Sequence, residues 1–137
     1  MKKVLLIVMV MILASASVLA LTACSKPEGV YKFESVNVVV GVTSVTYSVG
    51  DDKGSDGTFT ENSAVLTLNK DGTYEFVDHT FLDTKRTGTW EIVKYDDGSK
   101  QIRFDENNDL LADFNKKGLT FYYSGYYISY TYKLAKQ

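Results

Sequence analysis

The sequence has very little cysteine, proline or histidine: Cys24, Pro27 and His79 are the single residues of their types. One cysteine cannot form a disulfide within the chain, so a disulfide-stapled fold is excluded and the fold depends on packing. One histidine and one cysteine would leave carboxylates to fill the other positions of a zinc site, which is not the usual donor set of zinc. The sequence therefore predicts neither a disulfide framework nor a metal centre.

A basic surplus is also missing. The chain has 15 basic and 17 acidic residues. Lys2 and Lys3 belong to the N-terminal segment, which leaves 13 basic residues against 17 acidic ones in the rest. Without a basic stripe the chain cannot neutralise many phosphates, so nucleic acid is excluded as a partner. Binding to anionic lipid head groups by charge alone is excluded for the same reason.

No arrangement of nucleophile and base stands out. His79 lies beside Asp78 and near Asp83, but nothing marks a particular serine as its partner. We interpret His79 as a loop residue that follows a strand. The sequence therefore predicts a protein that is not an enzyme and has no cofactor.

Two acidic loops have part of the ligand pattern of a calcium-binding EF-hand loop. Both lack the bidentate glutamate at its twelfth position. In the loop that begins at Asp52 this position is Ser63, and in the loop that begins at Asp105 it is Lys116. We favour solvated hairpin loops, and weak structural calcium binding at an extracytoplasmic concentration is the alternative.

The N-terminus has the layout of an export signal. Lys2 and Lys3 precede a mostly apolar run over residues 4–21. The run ends in Leu21, Thr22, Ala23 and Cys24, which resembles a bacterial lipobox. The resemblance implies that residues 1–23 are a lipoprotein signal peptide, and that Cys24 receives a diacylglyceryl group and a further acyl chain such as palmitate. It also implies an extracytoplasmic protein, anchored to the cell membrane or to an outer membrane.

A retained transmembrane helix is the competing interpretation. The apolar run of residues 4–21 lies at the short end of the ~17 to 25 residues that a membrane-spanning helix needs. Small residues directly before Cys24, and the absence of a basic cluster after the run, favour cleavage. Residues 24–28 are then a lipidated cysteine and a short tether. Residues 25–28 reach roughly 14 Å, at ~3.5 Å per residue, so the domain would sit close to the membrane.

The remainder has the composition of an all-β protein. It contains all ten tyrosines, all seven phenylalanines and Trp90, together with abundant threonine and valine. Period-two alternation separated by turn signals predicts seven to nine strands, with a bend or bulge at Gly41. The clearest hairpin turns at Asp71 and Gly72. The strand that contains Trp90 is predicted over residues 87–95, and the last strand is predicted to begin at Tyr126 after a turn at residues 124–125. Residues 110–114 are ambiguous between a strand and a helical turn. This spacing is typical of a sandwich or a barrel.

Residues 29–137 resemble the small lipocalin-like domains of bacterial lipoproteins. The opening GVYKF at residues 29–33, the segment LTLNKDGTY at 66–74, Gly88-Thr89-Trp90 and the tyrosine-rich last strand carry this resemblance. It implies an up-and-down antiparallel barrel of about eight strands, often with an apolar cavity. Lipocalins place Gly-x-Trp in the first strand, where this chain has Tyr31.

Alternation gives the residues expected to face the barrel interior. With about eight strands, side chains can fill such an interior or can leave room for a ligand, and both alternatives stay open. In the first case the protein is an envelope scaffold that contacts another protein or a cell-wall component through its tyrosine-rich hairpin or residues 50–57. In the second it binds a small hydrophobic ligand or lipid. The predicted ligand-binding residues are Tyr74, Phe76, Trp90, Ile92, Ile102, Phe104, Leu119, Phe121, Tyr130 and Tyr132.

Overall fold

The computed structural model describes residues 26–81, 83–105 and 110–137, so the predicted signal peptide and Cys24 lie outside the described residues. In these three ranges no helix is long and apolar enough to cross a membrane. Two short 3-10 helices, Gly54–Asp56 and Glu61–Ser63, precede the third strand. The strands of the described residues are β1 (Gly29–Val40), β2 (Thr43–Ser48), β3 (Ala64–Leu68), β4 (Thr73–Asp78), β5 (Thr84–Lys94), β6 (Lys100–Phe104), β7 (Leu110–Phe114), β8 (Gly118–Ser124) and β9 (Ile128–Lys136).

These strands close into a barrel. All pairs are antiparallel, and from β3 to β9 each strand pairs with the next along the chain. β1 completes the ring because it pairs with both β3 and β9, which gives eight strands. This confirms the all-β, up-and-down barrel that the sequence predicts and is consistent with a lipocalin-like fold. Since the whole ring lies within residues 29–136, residues 26–137 contain a complete fold with its own core.

An irregularity within β1 sets which of its side chains face inward. Tyr31 and Phe33 are buried, the register with β9 shifts between Phe33 and Ser35, and Val36 is then buried. The shift restores burial after an interruption of the period-two pattern, as a β-bulge does. The chain does bend at Gly41, as expected, but Gly41 lies in the turn between β1 and β2 with φ 60° and is not a bulge within one strand.

β2 and β3 lie along the same edge of β1. β3 pairs with the first part of β1, and β2 pairs with residues 35–40. The chain between them, residues 49–63, leaves the sheet and returns. Phe59 of this segment is only 2% exposed, and its ring stacks on Phe33 with 5.6 Å between centroids. The segment that joins β2 to β3 therefore contributes to the core on this side of the barrel.

One end of the barrel is filled by side chains. This closed end carries the turns after β3, β5 and β7, and the chain enters the barrel here. Gly29 pairs with Leu68, and the Tyr31 hydroxyl donates to the carbonyl of Pro27. The largest side chains packed at this end are almost fully buried: Tyr31, Leu68, Ile102, Leu119 and Leu134.

The predicted hairpins are confirmed, with two refinements. Gly72 adopts φ 84° in the turn between β3 and β4, which is the conformation that glycine was expected to supply. Leu110–Phe114, ambiguous from the sequence, is strand β7. Tyr126, assigned to the last strand from its alternation, instead lies in the turn before β9 and is 92% exposed.

Candidate functional site

The barrel wall is lower on one side than on the other. β6 and β7 have five residues each and pair with the halves of β5 and β8 that lie toward the closed end. Among the described residues, 84–88 of β5 and 122–124 of β8 therefore have no strand partner on the sides that face each other. The opposite wall, formed by β1, β2 and β9, extends to the open end. We call the side formed by β6 and β7 the low wall. Among the described residues, no strand closes the interior above it.

A cavity of about 430 Å³ occupies the half of the interior nearer the open end. Its volume lies within the ~300 to 1,000 Å³ of small-molecule pockets. The walls come from the inner faces of β3 to β9 and from the β4–β5 loop. The lining residues are Leu66, Tyr74, Phe76, Asp78, Phe81, Thr84, Lys85, Arg86, Thr87, Phe104, Asp105, Leu110, Phe121, Tyr123, Tyr130 and Tyr132.

Aromatic rings pack against one another around this cavity. Phe121 stacks on Tyr132 with ring centroids 5.0 Å apart, and Phe76 meets both edge-on at 5.5 and 6.0 Å. Tyr74 and Phe104 make a further edge-to-face contact at 5.0 Å. Such pairs are favourable beyond the area that they bury, so these rings hold each other in place. The cavity therefore has a largely preformed apolar wall.

The structure brings six of the ten predicted ligand-binding residues together at this cavity and leaves four away from it. Ile102 and Leu119 are buried in the closed end. Trp90 is half-buried there and donates its indole N–H to the carbonyl of Asn69 at 3.0 Å, whereas Ile92 is 38% exposed. Alternation placed all ten on inward faces but could not give their height in the barrel. The six at the cavity are Tyr74, Phe76, Phe104, Phe121, Tyr130 and Tyr132.

A buried carboxylate at the top of β4 lies in the cavity wall. Asp78 accepts hydrogen bonds from the Tyr132 hydroxyl at 2.6 Å and from the Thr80 N–H at 2.8 Å. The Thr80 hydroxyl donates to it as well. Burial, and then the hydrogen bond to Asp78, hold the pKa of Tyr132 far above its usual value. Tyr132 therefore stays a neutral donor, and its position is fixed.

A second carboxylate lies where β6 ends. Asp105 accepts hydrogen bonds from the Tyr74 hydroxyl at 2.9 Å and from the Thr89 N–H at 3.0 Å. Gly88 makes room for this carboxylate, because a Cβ at that position would lie 2.0 Å from Asp105 Oδ1. Burial, followed by the hydrogen bond to Asp105, raises the pKa of Tyr74 to about 12. The glycine of the Gly-x-Trp triplet is thus explained by close packing.

Arg86 is an exposed residue of β5 that also lines the cavity, and the sequence interpretation missed it. It is the strand partner of Phe76, and its guanidinium lies over the Tyr123 ring, 5.2 Å from the centroid. Counting back from Trp90 in steps of two gives Gly88 and then Arg86, so the alternation placed Arg86 on the same face of the strand as Trp90. The sequence interpretation began this strand at Thr87 and lost it. Tyr123 alternates with Leu119 and Phe121 in the same way and also lines the cavity.

The other candidate sites show little organisation. His79 Nδ1 lies 2.6 Å from Asp83 Oδ1, and both side chains are exposed. Within residues 26–81, 83–105 and 110–137, no three histidine, cysteine, aspartate or glutamate side chains are grouped to hold a metal. Part of the second acidic loop, residues 106–109, lies outside the described residues.

Two neighbouring turns at the open end expose apolar and aromatic side chains. Val40 pairs with Ile128, which places the β1–β2 turn beside the β8–β9 turn. Val42 is fully exposed, and Tyr127 is 79% exposed. We call this surface the tip patch, formed by Val40, Val42, Tyr126 and Tyr127. It is adjacent to the mouth of the cavity, on the wall formed by β1, β2 and β9.

No protein-family model, curated protein or solved structure matches the chain. The closed barrel, its cavity and the tip patch are therefore the observations on which a function is proposed.

Proposed function

We propose that the protein is a lipid-anchored protein of the bacterial cell envelope that binds a small hydrophobic molecule or lipid inside its barrel. Its role is binding and not catalysis. The observation that supports this proposal is the cavity of about 430 Å³, whose wall is built from interlocked aromatic rings. Anchoring through Cys24, and a location outside the cytoplasm, rest on the lipobox resemblance.

Binding would be driven by burial of apolar ligand surface. Each Å² of apolar surface removed from water contributes ~25 cal/mol. Phe76, Phe104 and Phe121 supply apolar contacts in the cavity, and Tyr123 and Tyr130 add hydroxyl-bearing rings. Because the rings already pack on one another, little order has to be created when a ligand enters.

Native mass spectrometry of residues 26–137, after incubation with a bacterial lipid extract, tests this function. We expect one ligand per chain. Thr84→Trp should abolish the adduct, because Thr84 is a half-buried cavity residue and an indole at this position fills the space. Thr46→Trp is the matched control, since Thr46 is exposed on β2. A mass without ligand for the unsubstituted protein after this incubation would reject the binding function.

A scaffold or interaction protein is the second candidate, and the tip patch favours it. Exposed tyrosines are common anchors of protein interfaces, and Val42 adds apolar area beside them. A ligand-free mass, together with a cross-link to an envelope protein that is lost in Val42→Asp, would support this function instead. A cross-link that survives this substitution would argue against the tip patch as the contact surface.

A further inference from the structure

We propose that the ligand of the cavity is a single-chain amphiphile with a carboxylate head group, and that Arg86 binds this head group. The inference rests on the proposed binding function and adds the chemical class of the ligand. It is carried by a guanidinium placed between an apolar cavity and the low side of the barrel wall.

The backbone of β5 directs Arg86 into the barrel. Arg86 is the strand partner of Phe76, which lines the cavity. The guanidinium extends toward β8 and lies over the face of Tyr123. A cation over an aromatic ring is attracted by the ring and held by it. The charge therefore lies where β5 and β8 have no bridging strand among the described residues, next to solvent but in contact with the cavity.

The two carboxylates at the cavity are already hydrogen-bonded by the protein. Asp78 accepts from Thr80 and Tyr132. Asp105 accepts from Tyr74 and the Thr89 backbone. These donors satisfy both carboxylates in the absence of a ligand.

Arg86 is in the opposite situation. It forms no ion pair or hydrogen bond with residues 26–81, 83–105 or 110–137. Its neighbour Lys85, by contrast, pairs with Glu75 at 2.8 Å. A guanidinium has five N–H donors in a planar fork that matches the two oxygens of a carboxylate. Donors at the cavity that have no partner among the described residues therefore favour an anionic ligand.

The dimensions of the cavity favour one apolar chain. About 430 Å³ is near the lower end of small-molecule pockets, and its depth is lined by Leu66, Phe104 and Phe121. The apolar chain of the ligand would pack among these side chains and point toward the closed end, and its head group would lie at Arg86, beside the low wall. The head group would keep part of its hydration, which lowers the cost of bringing a charge to the site.

Calorimetric titration of residues 26–137 with dodecanoate and with dodecan-1-ol, below their aggregation concentrations, tests the inference. The two probes share the chain and differ in the head group. We expect dodecanoate to bind ~10- to 100-fold more tightly, the range given by a charge-assisted hydrogen bond. Arg86→Gln should weaken dodecanoate binding by about this factor and so remove the preference. Arg103→Gln is the charge-matched control, since Arg103 pairs with Glu91 away from the cavity.

The outcomes separate the two proposals. Equal binding of both probes would overturn the carboxylate inference while the binding function stands. A preference for dodecanoate that persists in Arg86→Gln would overturn the role of Arg86. Absence of binding by either probe would overturn the inference, and native mass spectrometry with the lipid extract would decide the binding function separately. The comparison in the unsubstituted protein decides the ligand class even where a variant fails to fold.

Discussion

Two tyrosine hydroxyls hold the two carboxylates of the cavity. Tyr132 donates to Asp78, and Tyr74 donates to Asp105. No buried side-chain nitrogen or oxygen of the described residues lacks a hydrogen-bond partner. Since an unpaired polar group in a low-dielectric interior is costly, such pairs let the barrel keep polar groups beside an apolar cavity.

The Tyr74 pair predicts how stability depends on pH. The pKa of Tyr74 is raised from 10.0 to about 12 in the folded protein. Its stabilising contribution is therefore complete below pH 10 and is lost as the pH rises toward 12. We expect Tyr74→Phe to lower stability at neutral pH and to lose less stability between pH 10 and 12 than the unsubstituted protein does. Urea denaturation at a series of pH values measures both effects.

Tyr127→Phe is the control for this prediction, because Tyr127 is 79% exposed in a turn. This variant should follow the pH profile of the unsubstituted protein. An unchanged profile in Tyr74→Phe would show that the hydroxyl does not couple to folding.

The segment between β2 and β3 acts as a structural element although it has little regular structure. Phe59 packs between Phe33 and Tyr47, with ring centroids 5.6 and 5.2 Å away. Phe81 of the β4–β5 loop meets Phe59 edge-on at 5.8 Å. This aromatic cluster joins two loops to β1 and β2, on the side of the barrel away from the low wall.

Phe59→Ala should therefore destabilise the protein by ~3 to 5 kcal/mol, the usual cost of removing a buried phenylalanine ring. Phe81→Ala should cost clearly less, because Phe81 is 44% exposed although it touches the same cluster. Equilibrium urea unfolding of both variants checks the difference. Equal losses would mean that the segment is not anchored by Phe59.

Period-two alternation predicted most of the strands, and with them the aromatic wall of the cavity. Phe121 and Tyr132 were placed correctly because each lies in a long, regular strand next to a clear turn. The bulge at Glu34 could not be predicted in this way, since nothing in the local sequence marks the register shift after Phe33. Phe59 lies among glycines and acids typical of a loop, so its burial is a tertiary effect. Arg86 was missed because β5 begins at Thr84, three residues before the predicted start.

The cavity and residue 26, the first described residue, lie at opposite ends of the barrel. The chain enters at the closed end, where Lys136 contacts the Lys26 carbonyl. The cavity opens toward the other end, beside the tip patch. If Cys24 is lipidated, the short tether holds the closed end against the membrane, and the mouth faces away from it. A ligand would then reach the cavity from the surrounding compartment and not directly from the anchoring bilayer.

Energy transfer from tryptophan to a fluorophore on lipid head groups measures this orientation. Trp90 lies in the half of the barrel nearer the tether, and Val42 lies at the far tip. In vesicles that carry the full lipidated chain, Trp90 should transfer energy more efficiently than a tryptophan placed at position 42 in Val42→Trp with Trp90→Phe. Incorporation of labelled palmitate, lost in Cys24→Ser, establishes the anchor itself. Equal transfer from both positions would contradict the orientation, and palmitate labelling without Cys24 would contradict the anchor.

The pairing of β1 with β9 constrains the order in which the barrel can fold during synthesis. A chain that emerges N-terminus first presents β1 while β9, the last element of the ring, is still being made. The hairpins from β3 to β8 can form locally during this time, but β1 cannot pair with β9 until residues 128–136 have been made. Until then the valine-rich half of β1 is protected by β2 on one edge and open to wrong partners on the other. The final strand thus controls when the newly made protein stops being vulnerable to misassembly.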